Sequence, residues 1–84
     1  HYTEKNQKIN IFPNPAQEFL NINCSETNSN IAISILNLQG IEVFNETSLQ
    51  QRISVNTRKW SSGLYIIKIT GSDFIEIKKV IIDK

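Results

Sequence analysis

The sequence predicts an all-β fold, an immunoglobulin-like antiparallel β-sandwich of about seven strands. Three observations carry this expectation. Apolar residues recur at every second position in short runs along the chain. Those runs are rich in β-branched residues, isoleucine above all, which suit a pleated, half-buried surface. Turn-forming residues separate the runs at sandwich-like spacing, and no window shows a helical period. The 84 residues suit one domain with a modest core.

Ile9 and Ile11 open the first strand. "FPNPA" (Phe12–Ala16) follows and holds both prolines of the chain. Pro13 and Pro15 lack a backbone N–H, and each disfavours the helical region for the residue before it. The segment therefore reads as a stiff, extended corner between two strands. Leu20, Ile22 and Cys24 share one face of the next strand, with Asn21 and Asn23 on the other. Ile31, Ile33 and Ile35 repeat the pattern. "NLQG" places Asn37 first and Gly40 fourth in a type I turn, with Gly40 expected at positive φ. A hairpin to a strand at Ile41, Val43 and Asn45 follows. Ile53 and Val55 mark the fifth strand.

"SSG" (Ser61–Gly63) precedes a strand in which Tyr65, Ile67 and Ile69 alternate with Leu64, Ile66 and Lys68. "TGSD" (Thr70–Asp73) turns this strand into the last one, "IEIKKVIIDK", beginning at Phe74 or Ile75. The expected core is Leu20, Ile22, Ile33, Ile35, Val43, Ile53, Val55, Tyr65, Ile67 and Ile69. In the last strand, Ile75 and Ile77 are expected to hold the sandwich, while Lys78 or Lys79 and Lys84 stay in solvent. "HYTEKNQK" (residues 1–8) has no periodicity and reads as a linker. The chain opens on His1 rather than methionine, so a piece of something larger is expected.

Composition argues against several functions. Nine Lys+Arg against eight Asp+Glu give a formal net charge of +1. That makes no electrostatic case for nucleic acid or an anionic membrane. No apolar run reaches the roughly 18–20 residues that span a bilayer as a helix. One cysteine excludes an intrachain disulfide, and one Cys with one His is too few for a zinc site of those ligands alone. Cys24 reads as a buried, inert thiol. No metal or cofactor is expected.

The case for an enzyme is equally poor. His1 is the only histidine and stands at a terminus, so a Ser–His or Cys–His pair would have to recruit that terminal residue. The acids are scattered over expected strand ends and polar faces, and the three glycines lie too far apart for a phosphate loop. Asn23 and Asn45 open short N-glycosylation patterns that arise often by chance. Trp60, between "TRK" and "SSG", reads as a lid on one end of the core. With Tyr65 it is also the candidate platform of a carbohydrate-binding or adhesion module. Lys78, Lys79 and Lys84 either guard an edge strand or present charge to a receptor.

The ordered set "FPNPA", "ISILNLQGIEV", "ISV", "WSSGLYIIKI" and "KKVIIDK" resembles the type A C-terminal sorting domain of the type IX secretion system of Bacteroidota. The resemblance spans residues 9–84. Pro13, Asn14 and Pro15 match its opening motif. Asn37 and Gly40, with Val43 as apolar anchor, match its hairpin motif. Gly63 and Tyr65 match "G-x-Y", and Lys78 and Lys79 match the basic step before the apolar end at Lys84. Asn37 replaces the usual Asp, and Trp60 the usual Leu.

Membership implies a folded address label rather than an enzyme. The implied partners are the type IX translocon, a sortase-like peptidase that removes the domain, and an N-terminal cargo domain joined through residues 1–8. The implied destination is the cell surface or the medium, reached through the periplasm. The competing expectation is the extracellular adhesion or carbohydrate-binding module.

Overall fold

The computed structural model describes residues 9–24, 30–48, 52–72 and 74–84. The segment read as a linker, residues 1–8, lies outside the described residues, as does Asp73 of the last turn. Among the described residues seven strands follow in chain order: β1 (Ile9–Phe12), β2 (Phe19–Cys24), β3 (Ile31–Leu36), β4 (Glu42–Ser48), β5 (Arg52–Asn56), β6 (Gly63–Thr70) and β7 (Ile75–Ile82). They form a three-stranded sheet, β1-β2-β5, and a four-stranded sheet, β4-β3-β6-β7. Every pairing between strands is antiparallel. This is the expected β-sandwich.

The core follows from period-2 placement. Leu20, Ile22, Cys24, Ile53 and Val55 point inward from the smaller sheet. Ile31, Ile33, Ile35, Tyr65, Ile67, Ile69, Val80 and Ile82 meet them from the larger one. Burial pushes the Cys24 thiol above its ordinary pKa, which suppresses the reactive thiolate.

Two expectations about the core fail, each for a local reason. Val43 is only half-buried. β4 is an edge strand, and its pairing with β3 passes from Ile35↔Phe44 directly to Leu36↔Glu42. Val43 is thus the extra residue of a bulge, which leaves it without a direct partner on the neighbouring strand. The second correction concerns β7. Ile75 and Ile77 do not hold the strand to the sandwich; they are 61% and 63% exposed. The hairpin fixes this phase. Gly71 N–H donates to the Phe74 carbonyl (2.9 Å), and Thr70 pairs with Ile75. Directly opposed residues share a face. Tyr65, Ile67 and Ile69 point inward, so Thr70 points outward and takes Ile75 and Ile77 with it. Val80 and Ile82 fill the core instead.

The β3–β4 turn is as expected. Gly40 N–H donates to the Asn37 carbonyl (3.0 Å), and Gly40 has φ 82°. The Asn37 side chain accepts from the Gln39 and Ile41 amides (2.9 and 3.0 Å). This is the side-chain turn chemistry that makes Asn a working substitute for Asp. Nearby, Ser34 Oγ and then Asn45 Nδ2 donate to the Glu42 carboxylate and hold its pKa below the usual value. Both partners of this acid are neutral. Among the described residues no group of three or more His, Cys, Asp and Glu is placed to hold a metal ion.

Two stability outcomes follow. Ile35 is fully buried, so Ile35→Ala should lower unfolding free energy by about 2–5 kcal/mol in a denaturant titration. Gly40→Val should lower the melting temperature although open space surrounds the position. The cost is a β-branched residue forced to positive φ, and an unchanged melting temperature would refute that conformation.

Candidate functional site

Most of the motif residues meet around the end of β7. Between β1 and β2 the chain turns at Pro13–Asn14–Pro15, and both X–Pro bonds are cis. The corner lies alongside β7. Ile81 N–H donates to Asn14 Oδ1 (3.1 Å), and Ala16 N–H donates to the Ile81 carbonyl (2.8 Å). Asp83 N–H donates to the Ala16 carbonyl (2.8 Å). Ala16 and Ile82 form a parallel bridge, and both are buried. The corner is therefore more than a stiff connection. It clasps the outer edge of β7 with three hydrogen bonds and ties the segment between β1 and β2 to the opposite sheet. An open cleft of about 470 Å³ lies beside it, lined by Pro13, Pro15, Phe19, Asp83 and neighbouring polar residues.

A second clasp holds the chain beyond β7. Lys84 Nζ donates to the carbonyls of Thr57 and Arg58 (2.7 Å each), and Lys84 N–H donates to Ser62 Oγ (3.0 Å). The residue is exposed, but its ammonium is engaged rather than free in solvent as expected. Thr57 is the keystone on the other side. It is the only buried polar residue among the described residues. Its N–H donates to the Glu18 carbonyl (2.8 Å), and its Oγ1 to the Gln17 carbonyl (3.2 Å). Its burial could have been read from the alternation Ile53, Val55, Thr57. Ala16 had no such signal, because its partner lies 66 residues away in sequence, from 16 to 82.

The "G-x-Y" residues build the adjoining loop. Gly63 opens β6 at φ 153°, a region that side chains rarely enter. Tyr65 is buried, and its hydroxyl donates to the Ser61 carbonyl four residues upstream (2.7 Å). The bond is of the tyrosine-corner kind found in sandwiches. Trp60 is half-buried and lies against Tyr65, with ring centroids 5.1 Å apart. Tyr65 therefore offers no open face to a sugar, and Trp60 packs against the core as a partial lid. Asn37 and Tyr65 line one shallow cleft of about 260 Å³ with Leu38, Gln39, Ser61 and Gly63.

Lys78 and Lys79 stand apart from these clasps. Neighbouring residues on a strand face opposite ways. Lys78 is on the inner side, 3.8 Å from Glu76 Oε2, and Lys79 is on the outer side. They form no shared basic patch. The exposed apolar surface beside Lys79 is Ile75, Ile77 and Ile81.

The Asn14 bond gives a local test. Asn14→Ala should cost about 0.5–1.5 kcal/mol of stability, the ordinary worth of one hydrogen bond. Amide exchange should accelerate at Ile81 but not at Val80, whose peptide groups face β6. Unaltered exchange at Ile81 would show that Asn14 is not its acceptor.

Comparison with known proteins gives this geometry a family. No curated protein matches the chain significantly. Among solved structures, the chain is similar to PorZ, described as an essential bacterial surface component of the type-IX secretion system of Porphyromonas gingivalis. The TM-score is 0.76 at 15% identity, over 90% of this chain and 11% of that one, so the likeness is one of fold. The chain spans about a tenth of PorZ's length. The family model described as a secretion system C-terminal sorting domain matches residues 10–83, which include the Pro-Asn-Pro corner, both turn motifs and β7. The chain therefore belongs to the family of type IX secretion system C-terminal sorting domains.

Proposed function

We propose that this domain is the address by which an attached cargo protein is carried through the type IX secretion system to the cell surface or the medium. The observation that carries the reading is the family match over residues 10–83. The cargo is joined on the N-terminal side through residues 1–8 and passes through the periplasm. The translocon recognises the domain, and a sortase-like peptidase then removes it. The domain acts as a substrate and not as a catalyst.

The roles of the motif residues divide on physical grounds. Pro13, Asn14, Pro15, Asn37, Gly40, Gly63, Tyr65 and Lys84 shape and lock the fold, through the bonds and backbone angles described above. Their contribution to export is to present one rigid surface. Lys79, with its charge in solvent, and Lys78, half-exposed, are the residues left to meet a receptor. Complementary charge chiefly speeds encounter and rejects wrong partners.

The test is a reporter carrying a Sec signal and residues 1–84, expressed in a host with this secretion system. The expected result is reporter outside the cell, and retention in the periplasm would overturn the reading. Lys78→Gln with Lys79→Gln should leave stability within about 1 kcal/mol, since such charges contribute little, yet reduce export. Full export with increased aggregation would instead assign the lysines to guarding a sheet edge.

A further inference from the structure

The outer edge of β7 is clasped at one end and open at the other. Ile81 directs its N–H and carbonyl away from β6, to Asn14 and Ala16. β7 pairs with β6 without a register break from Ile75 to Ile82. Peptide groups alternate between the two sides of an antiparallel strand. The N–H and carbonyl groups of Ile75, Ile77 and Lys79 therefore point outward as well. β7 is the last strand of its sheet, and among the described residues no strand pairs with it there. The side chains of Ile75 and Ile77 are exposed on the same stretch.

We propose that this open edge is a self-association site, at which two copies of the chain pair their β7 strands antiparallel about a two-fold axis at Ile77. The two four-stranded sheets would become one continuous sheet of eight. The inference concerns the surface of the sandwich and does not rest on the export reading, but the paired stretch includes Lys78 and Lys79, so a dimer would withdraw those two lysines from a receptor.

Length, charge and register all fit a second copy. A pairing centred on Ile77 runs from Ile75 to Lys79 and stops short of the Asn14–Ala16 clasp. It sets Ile77 against the partner's Ile77 and Ile75 against the partner's Lys79, each pair exchanging two backbone hydrogen bonds. On the inner side it sets Glu76 against the partner's Lys78, twice by symmetry. Opposite charges directly across a strand pair stabilise it, and like charges destabilise it. Moving the axis by one residue places Glu76 against itself or Lys78 against itself. Moving it further toward Val80 runs into the clasp. Inward-facing charges ordinarily keep edge strands apart. Here their order, Glu76 and then Lys78, is self-complementary when the strand meets a second copy of itself antiparallel.

Sedimentation equilibrium of the 84-residue chain, from micromolar to millimolar concentration, tests this together with amide exchange by NMR. The expected result is a concentration-dependent dimer in which the Ile75, Ile77 and Lys79 amides gain protection. Ile77→Lys should weaken the dimer by about ten-fold or more, by placing two ammonium groups at the axis. Glu76→Lys and Lys78→Glu should each weaken it by about ten-fold, and the two together should restore it. Unchanged melting temperatures in these variants would confirm that the fold is intact. A chain that stays monomeric throughout overturns the proposal and leaves the edge to a strand of another protein. A dimer indifferent to Ile77→Lys, or one that protects amides elsewhere, overturns it too.

Discussion

The fold turns on the bridge between Ala16 and Ile82. A sandwich is held mainly by side chains meeting between two sheets, and that contact is nearly non-directional. Here one backbone connection adds direction. The chain leaving β1 lays Ala16 beside the final strand of the opposite sheet, and three hydrogen bonds fix the two together. Ala16 is fully buried, and its single methyl group suits a position where two backbones run side by side. The prolines suit their place as well. They lack the N–H groups that a ladder would use, so the edge bonds come from Ala16 and from the Asn14 side chain.

The clasp and the β6–β7 hairpin together determine what β7 shows to solvent. The hairpin sets the phase, placing Val80 and Ile82 in the core and Ile75, Ile77 and Lys79 outside. The clasp then closes the outer edge from Ile81 onward. What remains open is a short stretch with alternating apolar and charged character. Docking and aggregation compete for such a surface, because both use the same unpaired peptide groups. Thr57 and Lys84 extend the hold past the clasp at the same end of β7, so the chain beyond β7 is tied to the β5–β6 loop.

Fold is retained across low identity for a related reason. The likeness to PorZ, at 15% identity, rests on a shared arrangement of strands. In this chain a two-residue period, a handful of turn residues and one tyrosine hydroxyl specify the arrangement with few demands on individual side chains. Any β-branched residue of suitable size serves at most core positions, as the isoleucines of β3 and β6 do here.

Strand number, the two turn motifs and most of the core were legible in the sequence, because they depend on neighbours one to four residues apart. Ile33 and Ile35 declare a shared face by spacing alone, and Asn37 with Gly40 declares a turn. The family too was legible, through the order of its motifs. Tertiary structure decided the rest. "IEIKKVII" allows two inward phases, and the more apolar one, with Ile75, Ile77 and Ile81, is the one that faces out; only pairing with Thr70 across the hairpin selects Val80 and Ile82. Val43 falls into a bulge that its own strand does not announce. The functions of Asn14, Ala16 and Lys84 depend on partners 67, 66 and about 26 residues away, and contacts at that range are set by how the sheets pack, not by any local pattern.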